Sequence, residues 1–452
     1  MRFIFLFCFM VCNVLWSQDK HLLYNQTHNP QSLMLNPGAA YEKTNFHIGV
    51  PGLSNLYASL GNTVLNIDKL FNTNDFNTNI AAAINRVSSD DFIAFNQKLD
   101  LVNIGWRNNK RYFSAGVYLE SDGIANFPKD LLELAYYGNA DEDRSYDIGQ
   151  INFRANLQTV FHFGINKQVN KNLYLGVRAK LYISSFNARS VRNSGQFNSS
   201  LSDDGLLLNQ SISNLNLRIE STGIEDLEEF ASDKILFGTN YGLGLDFGLS
   251  YNLNNRVEFT ASLLDLGFIR FSKDTRRDEI MGSYEYDGIS IQFPNFNDGD
   301  NLIPYYQNLA DEIEENFPAQ TTAEAYTYIQ PTKLNLGLSY NFGGMTSPCY
   351  CRLKTAGSLA GNQTLSLHGF AMFSAGNLFY SLNATYQRSF SEVLYGKVSL
   401  GVDQFNRPNY GAGVAVDVWK LNIFLNVDRL NNFSNIYNAE ALAYQFGLNL
   451  KF

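Results

Sequence analysis

The stretch that decides the fold is residues 439–452, AEALAYQFGLNLKF. Leu442, Tyr444, Phe446, Leu448, Leu450 and Phe452 share one parity, and Ala441, Ala443, Gln445, Gly447, Asn449 and Lys451 the other. Successive side chains of a strand point to opposite faces, so this segment has one large apolar face and one small or polar face. One strand of this kind also suits the edge of a soluble sandwich. The choice between the two rests on recurrence and on charge.

The pattern recurs along the chain. Ile151, Phe153, Ala155, Leu157, Phe161, Phe163 and Ile165 alternate with Asn152, Arg154, Asn156, Gln158, His162 and Asn166. Leu173, Leu175, Val177, Ala179, Leu181 and Ile183 oppose Tyr174, Arg178, Lys180 and Tyr182. Tyr241, Leu243, Leu245, Phe247, Leu249 and Tyr251 oppose Asn240, Asp246, Ser250 and three glycines, whereas Leu334, Leu336, Leu338, Tyr340 and Phe342 oppose Lys333, Asn335, Ser339 and Asn341. Arg154, Arg178, Lys180, Asp246, Lys333, Lys397, Asp403, Asp417 and Asp428 all lie on the polar parity. A Lys or Arg facing lipid at mid-bilayer costs about 2–4 kcal/mol, so the apolar parity is predicted to face lipid and the polar parity a lumen. In a soluble sandwich the apolar face would need a second sheet, and these strands exceed the usual length.

The expected fold is therefore an all-β, transmembrane antiparallel barrel of about 14 strands (12–16), with short helices in the N-terminal region and loops. Candidate strands lie near 101–107, 111–120, 150–166, 172–187, 206–221, 238–253, 256–271, 331–342, 364–374, 376–389, 393–404, 409–419, 420–428 and 440–452. Segments 281–293 and 45–62 are possible additions. Leaving 281–293 out of the wall puts the short 252–255 turn in the periplasm and makes 272–331 the largest outer loop, with a helix over 302–317.

Bulk properties agree. Tyr 26 and Phe 35 in 452 residues is a heavy aromatic load, as rings lining two membrane interfaces require. Mean hydropathy is only −0.19, because a barrel hides its membrane signal by making every second residue polar. Residues 1–17, MRFIFLFCFMVCNVLWS, read as a cleaved signal peptide: one basic residue, an apolar core, a small residue near the end. Residues 18–100 form an N-terminal segment, a candidate plug followed by a first extended stretch, with short helices within 66–100 capped by Ser88 or Ser89. Residues 101–452 form the barrel. A formal charge of −9 without basic clusters argues against nucleic acid as a partner.

The candidate chemistry is structural. Arg154, His162, Arg178, Lys180, Asp246, Lys333, Lys397, Asp403 and Asp417 are candidate lumen-lining residues. His21, His28, His47, His162 and His368 form no metal-ligand spacing, and no motif supports His162 or His368 as a catalytic base, so no enzyme activity, metal or cofactor is expected. Cys349 and Cys351 are either a strained disulfide or two thiols in a loop. The segment FTASLLDLGFIRFS (259–272) changes parity near Leu263–Leu264, which predicts a β-bulge. Such a bulge can open the wall sideways, reposition a charge such as Asp265, or simply shape the wall.

Two resemblances add to this. Tyr444, Phe446, Leu448, Leu450 and the final Phe452 resemble the assembly signal of bacterial outer-membrane barrels, which implies an outer-membrane address, lipid contact and recognition by the barrel-assembly machinery. Asn36-Pro37, VPGLSNLYASLGNT (50–63), PKDLLELAYYGN (128–139) and SLLDLGFI (262–269) resemble an uncharacterised family of Bacteroidota outer-membrane barrels. More distantly they are similar to PorV/FadL-type and PorP/SprF-type proteins. FadL-type relatives imply passage of small or hydrophobic molecules through a plugged barrel. PorV- and PorP-type relatives imply an accessory of type IX secretion or gliding.

Overall fold

The computed structural model describes residues 20–41, 44–64, 76–139, 144–201, 208–224, 236–287, 319–343, 362–374, 377–404, 408–430 and 441–452. The strands are β1 (Phe46–Gly49), β2 (Leu56–Asn62), β3 (Phe92–Asn108), β4 (Arg111–Asn126), β5 (Ser145–Asp147), β6 (Phe153–Gln168), β7 (Leu173–Leu201), β8 (Leu208–Thr222), β9 (Asn240–Asn252) and β10 (Val257–Phe271). They continue as β11 (Thr275–Asp287), β12 (Gln320–Thr322), β13 (Tyr326–Ile329), β14 (Lys333–Phe342), β15 (Gln363–Ser374), β16 (Asn377–Ser389), β17 (Leu394–Asp403), β18 (Asn409–Val418), β19 (Leu421–Asp428) and β20 (Ala441–Lys451). Among the described residues the α-helices α1 (Phe76–Ile84) and α2 (Lys129–Tyr137) lie in connections.

Every ladder is antiparallel, and the sheet closes into a barrel of 14 strands. β1 pairs with β20 and with β3, as His47↔Lys451 and His47↔Gly105 show, and β2 pairs with the same two neighbours. β1 and β2 are thus one wall strand, interrupted at Val50–Asn55. The ring continues through β3, β4, β6, β7, β9 and β10 to a second interrupted strand, β13 with β14. It returns through β15 to β20.

The faces divide as charge dictates. Leu243 is 61% exposed and Leu338 48%, on a surface that continues through Phe163, Val177, Leu367, Leu382 and Leu400. Arg178 and Asp246, on the opposite parity, are 1% and 0% exposed. An apolar belt around a polar interior is a lipid-facing wall. Trp106, Phe113 and Phe163 cluster near its short-turn end with ring centroids 5.5–6.4 Å apart, and Phe46 meets Phe452 at 5.8 Å. This is the start of an interfacial aromatic girdle. No helix among the described residues is long and apolar enough to cross a membrane.

Three expectations need correction. Segment 206–221 is not a wall strand: β8 pairs with the far part of β7, Asn187 to Leu201, and on its other edge with β11. β7 runs for 29 residues, so it leaves the wall and carries β8, β11 and β12 as a sheet beyond it. The wall does not begin at 101. It begins at Phe46, and β3 begins at Phe92, so 45–62 supplies the wall strand that 206–221 does not. Within 66–100 the structure has helix α1, but the following residues belong to β3. The expected helix at 302–317 and the pair Cys349 and Cys351 lie outside the described residues.

α2 packs Leu134 with Tyr146, Ile148, Phe197 and Leu215, which anchors the helix and residues 146–148 on the β7–β8 extension. The turns 109–110, 169–172, 253–256, 390–393 and 419–420 all fall at the end of the barrel that carries β1 and Phe452.

Candidate functional site: the barrel lumen

Residues 20–41 lie inside the barrel. His21, Leu22, Leu23, Tyr24, Gln31 and Leu33 are almost wholly buried. The segment makes one short 3-10 helix (Pro30–Met34), with Pro30 at its start and the Asn29 side chain accepting from the Gln31 N–H. Its backbone also pairs with itself in successive turns, as from the Leu23 N–H to the Lys20 carbonyl (2.9 Å), Asn29 to Gln26 (2.9 Å) and Ala39 to Asn36 (3.0 Å), and wall side chains reach further carbonyls. Lys397 Nζ donates to the carbonyls of His21 (3.2 Å) and Tyr24 (2.8 Å), Lys451 Nζ to that of His28 (2.9 Å) and Ser262 Oγ to that of Leu35 (2.6 Å). Arg178 donates to the Met34 carbonyl (3.2 Å) and to that of Leu33. Asn166 Nδ2 donates to the carbonyls of Pro37 and Ala39 (2.7 and 2.9 Å).

Backbone approach explains the glycines of the lumen face. Gly176 and Gly248 are paired across β7 and β9. A Cβ on Gly176 would lie 2.0 Å from the Pro37 carbonyl oxygen, and one on Gly248 2.1 Å from Asn36 Oδ1. The Asn36-Pro37-Gly38 turn therefore rests on two positions where only glycine fits.

Above this segment sits a charge network centred on a bulge. Between Leu263 and Leu266 the β9–β10 register shifts, so two residues of β10 oppose Asp246. Asp265 takes φ +61° there. Its N–H donates to Asp246 Oδ1 (2.7 Å), and its carboxylate receives Lys180 Nζ (2.5 Å), Lys333 Nζ (2.9 Å) and the Tyr182 hydroxyl (3.1 Å). Asp246 in turn accepts from Arg178 (3.0 Å) and Lys180 (2.9 Å), and Lys333 also reaches Glu120 at 3.6 Å. Buried charges persist only when paired in this way. Lys98 is the partial exception, its amine lying over the Tyr118 ring at 3.6 Å. In the inner segment, burial pushes the Tyr24 and Tyr41 phenols above their ordinary range. It pushes the Lys20 amine down to about 7, with Lys98 adding repulsion.

Of the nine candidate residues, Arg154, His162, Arg178, Lys180, Asp246, Lys397 and Asp403 are buried and Lys333 and Asp417 half-buried, and they do not all sit together. Arg178, Lys180, Asp246 and Lys333 share the network. Arg154 is beside it, paired with Asp122 and donating to Ser374 (2.9 Å) and Tyr328 (2.6 Å). His162 faces the lumen next to Tyr118. Lys397 holds the inner segment, Asp403 pairs with Arg429, and Asp417 accepts from Lys451 at 2.7 Å near the short-turn end. Lys98, Glu120 and Asp122 belong to the same interior but were not singled out from sequence. Their strands do show the inward parity. Tyr444, Phe446, Leu448 and Leu450 face outward, opposite Val427, Leu425, Ile423 and Leu421.

Between the network and the inner segment is a cavity of about 70 Å³, lined by Lys20, Met34, Leu35, Lys98, Lys333 and Met372 among others. That is room for a few waters, far below the roughly 300 Å³ of a ligand pocket. No cluster of His, Cys, Asp and Glu that could hold a metal occurs among the described residues.

This interior defines a closed outer-membrane-type barrel with an occupied lumen. The chain belongs to a family of unknown function, DUF5723, whose sequence model matches residues 37–428. Its barrel is similar to several solved structures. The Ralstonia pickettii toluene transporter TbuX shares 11% identity over 94% of each chain, with a TM-score of 0.43. The Pseudomonas putida toluene transporter TodX shares 10% over 93% of this chain and 91% of that one, with a TM-score of 0.42. A Pseudomonas aeruginosa FadL homologue shares 10% over 93% of each, with a TM-score of 0.40. No curated protein matches the sequence.

Proposed function

We propose that the protein is an outer-membrane transporter for small hydrophobic molecules, exported with loss of residues 1–17 and closed at rest by residues 20–41. The supporting observation is that this inner segment fills the lumen and is held by single hydrogen bonds from wall side chains to its carbonyls. An always-open pore for hydrated solutes needs a continuous aqueous path, and among the described residues the inner segment lies across that path, leaving small cavities such as the one lined by Lys20, Lys98 and Lys333. Each contact from a charged donor is worth roughly 1.5–3 kcal/mol net and each neutral one about 1 kcal/mol, so the segment is firmly placed, yet it is held by side chains and can be displaced as a unit. The nine polar-parity residues then serve as holders and wall struts, with no catalytic part.

The test is uptake of a monoaromatic such as toluene and of a fatty acid by a deletion strain and by the complemented strain. Swelling of proteoliposomes in sucrose is measured alongside. Faster hydrophobic uptake with no sucrose permeation is expected. Sucrose permeation through the intact protein, or unchanged uptake of every hydrophobic solute, would overturn the reading.

A second reading, an accessory of type IX secretion or gliding, draws support from the β7–β8–β11–β12 sheet that projects beyond the wall and offers a surface a channel does not need. Affinity purification from gently solubilised outer membranes decides it. Recovery of secretion components in stoichiometric amount is the expected result, and a clean monomer would sink it.

A further inference from the structure

We infer that Phe92, Ile124, Met372 and Phe379 form a second, apolar closure across the lumen, which rejects ions and hydrated solutes and passes apolar ones into the cavity. This rests on the transport reading and names the residues that set its specificity.

The closure joins opposite walls. β3 and β15 are seven strands apart in either direction around the 14-strand ring, as are β4 and β16. Yet Phe92 of β3 and Phe379 of β16 meet edge-on, with ring centroids 5.2 Å apart. Phe92, Ala94, Ile124, Met372 and Phe379 form one buried cluster, with Phe370 packed against it. The layers match from side to side. On one wall Phe92 is paired with Asn126 and Ala94 with Ile124; on the other Phe379 is paired with Met372 and Asn377 with Ser374. Above the rings, Asn377 Nδ2 donates to Asn126 Oδ1 (2.9 Å) and Asn126 Nδ2 to Asn377 Oδ1 (3.4 Å). Below them, Phe370 and Met372 line the cavity. The cluster thus separates the cavity from the far end of the barrel, as residues 20–41 separate it from the short-turn end.

Such a layer discriminates by solvation. A hydrated ion crossing it must shed water where no polar group replaces that water, whereas an apolar solute exchanges one set of dispersion contacts for another. Arg154, which sits opposite Ile124 in register, is paired with Asp122 and hydrogen-bonded to Ser374 and Tyr328. It offers no free charge to a passing ion. Among the described residues the Phe92–Phe379 contact and the Asn126–Asn377 amide pair cross the gap through side chains, so the two walls can part there without breaking a strand ladder.

The experiment places a reporter thiol in the cavity, Asn96→Cys, in the full chain carrying Cys349→Ser and Cys351→Ser. Intact cells are treated with a permanently charged trimethylammonium methanethiosulfonate or an uncharged benzyl one. With the closure intact, the uncharged reagent should label about tenfold faster than the charged one. In Phe92→Ala/Phe379→Ala the charged rate should rise by about tenfold while the uncharged rate changes by less than about twofold. Phe92→Leu/Phe379→Leu, still apolar, should keep the discrimination. Retention of compact, heat-modifiable mobility in SDS confirms that each variant is a folded barrel. Equal labelling by both reagents before mutation, or discrimination that survives the double alanine change, would overturn the inference. The readout is labelling and not uptake, so a failure of hydrophobic transport in the deletion strain is scored separately.

Discussion

Asp265 is the residue on which the interior turns. A non-glycine residue at φ +61° is strained, and here the strain is offset by placing one carboxylate between Lys180 and Lys333 while its N–H meets Asp246. Asp265→Asn keeps the shape but removes the carboxylate that Lys180 and Lys333 share. Removing one member of a buried pair costs roughly 3–5 kcal/mol; because Lys180 keeps Asp246, we expect the lower end, about 3 kcal/mol, read as a lowered urea midpoint in detergent. Asp265→Gly removes the backbone strain as well as the charge. If it matched the parent in stability, the charge network would not be what holds the bulge. A second prediction concerns Lys20. Docking takes its pKa from 10.5 down to about 7, so the docked state releases a proton and docking strengthens as pH rises from about 7 towards 10. Protease access to residues 20–41 should accordingly be greater at pH 6.5 than at pH 9, and Lys20→Met should flatten that dependence. The position of the bulge was legible because one extra residue flips the parity of everything after it. The partners of Asp265 were not, since parity gives a facing direction and not the register between strands 68 or 85 residues apart in sequence.

At the scale of elements, the inner segment and the wall are cut to fit one another. Gly248→Val would drive a side chain into Asn36 and Pro37, so we expect the segment to be expelled while the barrel, whose ladder is untouched, still forms. Protease cleavage within residues 20–41 together with normal heat-modifiable mobility would show that; a segment as protected as in the parent would refute it. The two misread wall elements have physical explanations. β8 alternates like a membrane strand because the projecting sheet also has a dry face, where Phe197 and Leu215 meet α2, and a period of two reports burial on one side whatever does the burying. Residues 45–62 read poorly as a wall strand because Pro51-Gly52 interrupts it, and each half is only four to seven residues long. The start of β3 at Phe92, and not at 101, is obscure in the sequence because its first half buries Phe92, Ala94, Lys98 and Asp100 inward, without a regular polar interior.

For the whole molecule, closure depends on the last strand. β20 pairs with β19 along eight residues and with the interrupted first strand through both of its halves. Deleting Phe452, or changing Phe446 and Leu448 to Asn, should lower the folded barrel in the membrane several-fold through loss of its lipid face and of the assembly signal that we propose for this strand. Fractionation and heat-modifiability would measure this, and wild-type levels would count against an assembly role for Tyr444, Phe446, Leu448, Leu450 and Phe452. The transmembrane class was readable because the bilayer imposes one rule on every strand. The interior obeys no such rule, being filled by a segment whose partners are set only once the ring has closed.

The join between that segment and the wall has one more consequence. Tyr41 and Phe46 are five residues apart, a reach of at most about 18 Å. A released inner segment is therefore leashed at the mouth of the barrel, at an effective concentration in the millimolar range. A soluble competitor for the same groove would have to outbid that local concentration, whereas a solute already inside the barrel would not. Recapture is unimolecular, and the resting state restores itself after each opening without an outside partner.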